Sequence, residues 1–173
     1  MKCLFIVNPG SGPGQKDWEQ IIKDFFQGRQ EQIEFFRLEK DANNKDLLLG
    51  SINRFGPDRV IAAGGDGTVM MAAEVVMGKK IPLGIIRAGS ANGMAKELDV
   101  PMDPAAAIEL AVSGEPKPLD LIYINDEYCI HLSDIGLNAR MLEHFEQFET
   151  RGFIGYGRAL LKMLGRHQFI RLK

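Results

Sequence analysis

The chain has 173 residues, 45% of them hydrophobic and 25% charged, with a formal net charge of −2. That balance suits a domain with a real core and excludes disorder, collagen and fibrous coiled coil. No apolar run approaches the roughly 20 residues needed to cross a bilayer, and the apolar start at Cys3–Val7 is too short for a secretory signal.

Lys2–Asn8 is a continuous apolar run that ends in Asn8-Pro9-Gly10-Ser11-Gly12-Pro13-Gly14, a buried strand followed by a turn-rich loop. Trp18, Ile21, Ile22, Phe25 and Phe26 then recur at helical spacing. Gln32–Leu38 reads as a second strand, and Leu47, Leu48, Leu49 and Ile52 as a short helix stopped near Gly56-Pro57. Arg59–Ala63 is a third strand feeding Gly64-Gly65-Asp66-Gly67-Thr68, with a helix from about Val69 to Met77. Met70, Met71 and Met77 are expected to pack in the core. Pro82–Ile86 is a fourth strand ending at Gly89-Ser90, followed by helices near Ala91–Leu98 and Asp103–Val112. Strands alternating with helices imply an α/β fold, a parallel sheet with helices on both faces.

The pattern changes after Pro118. Leu119–Asn125 and Tyr128–Ser133 flank Asn125-Asp126-Glu127 and read as an antiparallel hairpin. Helical stretches near 139–148 and 155–164 follow, and the last residues look like a strand barely begun. The expected division is a nucleotide-sized α/β domain over 1–118 and an incomplete antiparallel β domain over 119–173. Arg151–Lys173 holds 6 Lys/Arg and no Asp/Glu, leaving 15 basic against 23 acidic residues elsewhere. An acidic body disfavours nucleic acid as a partner. The basic end, with Arg158, Lys162 and Arg166 on one helix face, is either a solvated face or a surface for anionic lipid. Cys3 and Cys129, both in apolar stretches, read as reduced buried thiols of a cytoplasmic protein. His131, His144 and His167 share no spacing that suggests a metal site.

Three glycine-rich loops sit where strands hand over to helices, and ligands of open parallel sheets bind at those strand ends. Gly64-Gly65-Asp66-Gly67-Thr68 is the strongest. Glycine admits positive φ and close approach to the backbone, so successive amides can cradle phosphate oxygens at a helix N-terminus. Asp66 offers a carboxylate to Mg²⁺ or its water shell, and Thr68 a cap or a hydroxyl for a phosphate. The plainer alternative is a tight turn with Asp66 or Thr68 as the cap. Asn8-Pro9-Gly10-Ser11-Gly12 and Gly89-Ser90-Ala91-Asn92-Gly93 carry less alone, since Ser90 could simply cap the helix from Ala91. Neither a Walker P-loop nor the Rossmann glycine pattern occurs.

With Pro82-Leu83-Gly84-Ile85-Ile86, Asp120, Ser133-Asp134-Ile135-Gly136-Leu137-Asn138-Ala139 and Arg151-Gly152, these loops resemble the diacylglycerol kinase catalytic domain and its bacterial lipid kinase and sphingosine kinase relatives. The glycine-aspartate loop by itself is shared with NAD kinases. The resemblance implies ATP and Mg²⁺ as cofactors and phosphoryl transfer to a lipid hydroxyl of diacylglycerol or a sphingoid base. It implies nucleotide contacts at Asn8, Pro9, Gly10, Ser11, Gly12, Gly64, Gly65, Asp66, Gly67, Thr68, Val69, Ser90 and Asn92. Asp66 would position phosphate and metal, Asp120 would join a network with it, and the general base is expected in a sandwich domain cut short at Lys173. Gly93 stands where the family usually has Asp, and Leu38 and Glu39 where it often has a nucleotide-contacting Thr. The alternatives are an NAD kinase-like enzyme and a non-catalytic nucleotide-binding remnant. The interrupted β domain would leave strand edges that invite a homodimer.

Overall fold

The computed structural model describes residues 1–9, 16–124 and 126–129, without the side chains of Ile124 and Glu127. The helices expected at 139–148 and 155–164, the basic 151–173 segment, the three histidines and the 119–173 division beyond the hairpin lie outside the described residues. So do Gly10, Ser11 and Gly12.

The elements alternate along the chain: β1 (Lys2–Val7), α1 (Trp18–Phe25), β2 (Gln32–Arg37), α2 (Asn44–Phe55), β3 (Arg59–Gly64), α3 (Asp66–Val76), β4 (Leu83–Arg87), α4 (Gly93–Glu97), α5 (Pro104–Ser113), β5 (Ile122–Ile124) and β6 (Glu127–Cys129). The first four strands form one parallel sheet in the order β2-β1-β3-β4. From β1 the chain steps to one side for β2 and returns on the other for β3 and β4. The switch point therefore lies between β1 and β3, and the crevice at their carboxyl ends is where such sheets take ligands. β5 and β6 pair antiparallel, and Asp126 takes the left-handed conformation at their turn, with φ of 66°.

The central strand explains its own composition. Cys3, Leu4, Phe5 and Ile6 are wholly buried because both faces of β1 are covered, which favours a continuous apolar run over an alternating one. Helices α2 and α3 pack on each other, as do α1 and α5, which gives the two layers over the sheet. Phe5 stacks edge-on against Phe26 with ring centroids 5.7 Å apart. Burial pushes the Cys3 thiol above its ordinary pKa, with the N-terminal ammonium opposing it. Cys129 is half-buried, and both thiols are free. Among the described residues no helix is long and apolar enough to cross a membrane.

Two helices depart from expectation at their starts. α3 begins at Asp66, three residues before Val69, and α4 begins at Gly93 instead of Ala91. Met77 is not a core residue: it lies just past the end of α3 and is 42% exposed. Met71 does pack against the core, partly buried.

Candidate functional site

Four of the five helices have their first amides satisfied by a side chain. Asp17 accepts from the Gln20 N–H before α1, Asn43 from Asp46 before α2, and Asp103 from Ala106 before α5, where Pro104 occupies the first helical position. α4 is served from a distance, as described below. Among the described residues α3 alone has no side-chain cap. Its cap residue is Gly65, with extended backbone (φ −87°, ψ −175°) and no side chain to offer. The turn is closed only by the Gly65 carbonyl, which accepts from Thr68 and Val69 at 2.9 and 3.1 Å. The amides of Asp66 and Gly67 are left facing the strand ends, where the helix dipole is positive.

Asp66 does not cap its own helix. Its carboxylate crosses to α4 and accepts from the Gly93 N–H on one oxygen and the Met94 N–H on the other, both at 3.0 Å. The plainer alternative, in which Asp66 or Thr68 caps α3, does not hold. Thr68 lies inside the first turn and is 5% exposed, tucked under Gly64. Ser90 caps nothing either. The cap position of α4 is Asn92, in the left-handed region at φ 51°. Its side chain turns back on its own loop. The Gly89 N–H donates to Oδ1 and Nδ2 donates to the Gly89 carbonyl, both at 2.8 Å. Asn92 thus shapes the loop, while Ser90 stays exposed at its outer edge.

The glycines also have a different reason from the expected one. None of Gly64, Gly65, Gly67 or Gly89 has positive φ. A Cβ on Gly64 would come within 2.7 Å of the Thr68 Cγ2. A Cβ on Gly89 would lie 2.9 Å from the Gly65 nitrogen and nearer still to the Gly65 Cα. The second and third loops therefore touch backbone to backbone, and glycine is required for that approach. Gly67 differs: a Cβ there meets nothing within 4 Å. It is the position in the loop that is open to an incoming group.

The first loop enters at the same edge. Asn8 is half-buried, its N–H donates to the Ala63 carbonyl at 3.4 Å, and Pro9 is exposed. Val69 is buried behind the α3 turn. Asp120 is exposed in the connection before β5 and makes no hydrogen bond to Asp66, so the expected network is absent between these two side chains. Among the described residues no three His, Cys, Asp or Glu side chains form a metal cluster. Each Asp66 oxygen accepts one amide N–H and keeps a further lone pair, so the carboxylate retains room for a water of a metal's shell. A feature the sequence did not signal is an open groove of about 620 Å³ between β2 and α2, lined by Phe35, Arg37, Glu39, Asp46 and Arg54. It holds none of the expected site residues. Asn44 braces its rim by accepting from the Glu39 N–H at 2.9 Å and donating to the Glu39 carbonyl at 2.8 Å.

A four-stranded parallel sheet whose glycine loops touch at the ends of β3 and β4 is an α/β fold that recurs in solved structures. A crystal structure of a diacylglycerol kinase from Bacillus anthracis superposes with a TM-score of 0.60 over 82% of this chain and 51% of that one, at 22% identity. The model of the diacylglycerol kinase catalytic domain matches residues 2–124, and the chain belongs to that family. It is 41% identical over 88 residues to a protein named diacylglycerol kinase from Mycobacterium tuberculosis, covering 50% of this chain and 28% of that protein. It is 36% identical over 145 residues to a protein of Serratia proteamaculans named "Probable lipid kinase YegS-like", covering 80% of this chain and 46% of the relative. The chain thus spans between about a quarter and a half of the length of these curated relatives.

Proposed function

We propose that the chain binds ATP across the loops after β1, β3 and β4 and forms the nucleotide half of a lipid kinase. One observation carries this: α3 starts at the switch point with its amides uncapped and with Gly67 open in front of them. Phosphate groups are the natural occupants of such a helix start. Every other described helix has one or two first-turn amides bonded to a side chain, and membership of the diacylglycerol kinase catalytic domain family supplies the reaction class. In this reading the lipid hydroxyl attacks the γ-phosphorus, the bond to the bridging β–γ oxygen breaks, and ADP leaves. The protein contributes position and charge stabilisation more than covalent chemistry. Gly65, Asp66, Gly67 and Thr68 form the phosphate turn, Asn92 shapes the wall beside it, and Ser90 borders it. The family resemblance adds Asn8, Gly10, Ser11 and Gly12 as nucleotide contacts. The base that accepts the hydroxyl proton belongs to residues other than those described, as does the basic 151–173 segment that would face the membrane holding the lipid.

The test is nucleotide titration of the purified chain, followed by assay with radiolabelled ATP against diacylglycerol, a sphingoid base and NAD. Saturable ATP binding that Gly67→Val abolishes is the expected result, and any label transferred should pass to a lipid. Label on NAD in place of a lipid, or no ATP binding at all, overturns it.

A further inference from the structure

We propose that Arg87 is a positioning residue of the nucleotide site, holding α4 from the end opposite Asp66. Arg87 is the last residue of β4 and pairs in register with Gly64, so its backbone lies at the root of both loops. Its half-buried guanidinium donates from one Nη to the Ala95 carbonyl at 3.0 Å and from the other to the Met102 Sδ at 3.4 Å. The Nε is buried, and among the described residues it finds no acceptor. No carboxylate pairs with this cation in any of the ion pairs among the described residues.

A half-buried cation with a buried, unpartnered Nε and no counter-charge is held at some cost unless its field is used. Here it faces the carbonyl end of α4, where the helix dipole is negative, while Asp66 faces the amide end, where it is positive. The Ala95 carbonyl also accepts from Val100 at 2.9 Å, so Arg87 takes a second lone pair at the point where the chain leaves α4. A helix of five residues is too short to hold itself together. Besides the burial of Met94 and Ala95, its placement draws on these two charges, and with it the Asn92 turn and the seam between the loops. Arg87 touches no nucleotide in this account. It acts through α4.

The proposal rests on the ATP-binding reading only for its functional consequence, so two measurements are needed. The first is hydrogen exchange at the Gly93 and Met94 amides in Arg87→Met, which keeps bulk and removes the donors, and in Arg87→Lys, which keeps a charged donor. In the Met variant these amides, at the far end of α4 from Arg87, should exchange about tenfold to a hundredfold faster than any change in the β1 amides accounts for. The Lys variant should restore most of that protection. If Arg87→Met does not fold, Arg87→Gln, whose donor is too short to reach Ala95, is read the same way. Exchange at Gly93 and Met94 that follows the β1 amides in every variant overturns the proposal.

The second measurement is ATP titration. Weakening in the Met variant with recovery in the Lys variant supports the proposal, and wild-type affinity in the Met variant overturns it. If the unaltered chain binds no ATP, the kinase reading fails, and the exchange result alone decides whether Arg87 places α4.

Discussion

Replacing Gly89 by alanine puts a methyl group into the seam where the loop after β4 touches the loop after β3. The new carbon would stand 2.9 Å from the Gly65 nitrogen and equally close to the Asn92 Oδ1. Ordinary contact begins near 3.4 Å, so backbone must retreat by half an ångström or more. The seam has little freedom to do so. Ala88 donates to the Gly64 carbonyl across it at 3.3 Å, and Asp66 ties the other side to α4. Overpacking of this kind costs about 1–3 kcal/mol. For a chain of this size each kcal/mol lowers Tm by about 2–4 °C. Gly67→Ala adds the same methyl with nothing within 4 Å, at a helical position with ordinary φ. It should leave stability unchanged or raise it by about 0.4–1 kcal/mol through the unfolded chain. On the proposed reading only the nucleotide should suffer, because the methyl is added in the uncapped first turn of α3. Thermal unfolding followed by circular dichroism, together with ATP titration, separates the two variants. Equal stability of Gly89→Ala and wild type would refute the seam, and a Gly67→Ala less stable than Gly89→Ala would refute the assignment of the open position.

Asp66→Asn should lower the urea-unfolding free energy by about 1–3 kcal/mol, since a charged acceptor shared by two amides is lost. A rise in stability would mark Asp66 as a strained reactive carboxylate instead. Asp103→Ala removes the cap of α5 and should cost about 1 kcal/mol, with Asp103→Asn largely sparing it; equal denaturation midpoints for wild type and the Ala variant would discount the cap. For Cys3 the sign follows from its raised pKa. The buried thiol stays neutral while the unfolded thiol ionises above about pH 8.5. The contribution is therefore full below that pH and is lost as pH climbs toward the folded value. Stability measured at rising alkaline pH should fall more steeply for wild type than for Cys3→Ala, and parallel curves would contradict the assignment.

The alternation of strands and helices was readable because burial on both faces of a parallel sheet leaves unbroken apolar runs such as Cys3–Val7. The caps at Asp17, Asn43 and Asp103 follow rules that act within three residues. What could not be read is whatever depends on distant pairs. The start of α3 was placed too late because glycine and aspartate are poor helix formers, and only the sheet holds Asp66 and Gly67 in the first turn. The glycines of the second and third loops were credited with unusual φ, yet their reason is contact between Gly65 and Gly89. Asp66 looked like a free ligand because its partner amides lie 27 and 28 residues away. Arg87 gave no signal at all: it follows an apolar strand, and its use appears only once α4 is folded over it.

The same contacts bear on how selective the site is. The helix starts after β3 and β4 are neighbours at the carboxyl edge of this sheet, and without further contacts both would be open to an anion. Asp66 closes the α4 start with its own charge, so a second anion there would meet a carboxylate. The α3 start remains open, yet that carboxylate is held at its first residue. A bare phosphate therefore gains the α3 amides and loses to the nearby negative charge, whereas a phosphate carrying its own cation gains both. On the proposed reading this arrangement would favour a metal-bearing polyphosphate over free phosphate, with no metal cluster among the described residues. Phosphate alone should compete poorly with nucleotide in a titration, and competition should sharpen when Mg²⁺ is added with pyrophosphate. Equal competition by phosphate with and without Mg²⁺ would remove the electrostatic role assigned to Asp66.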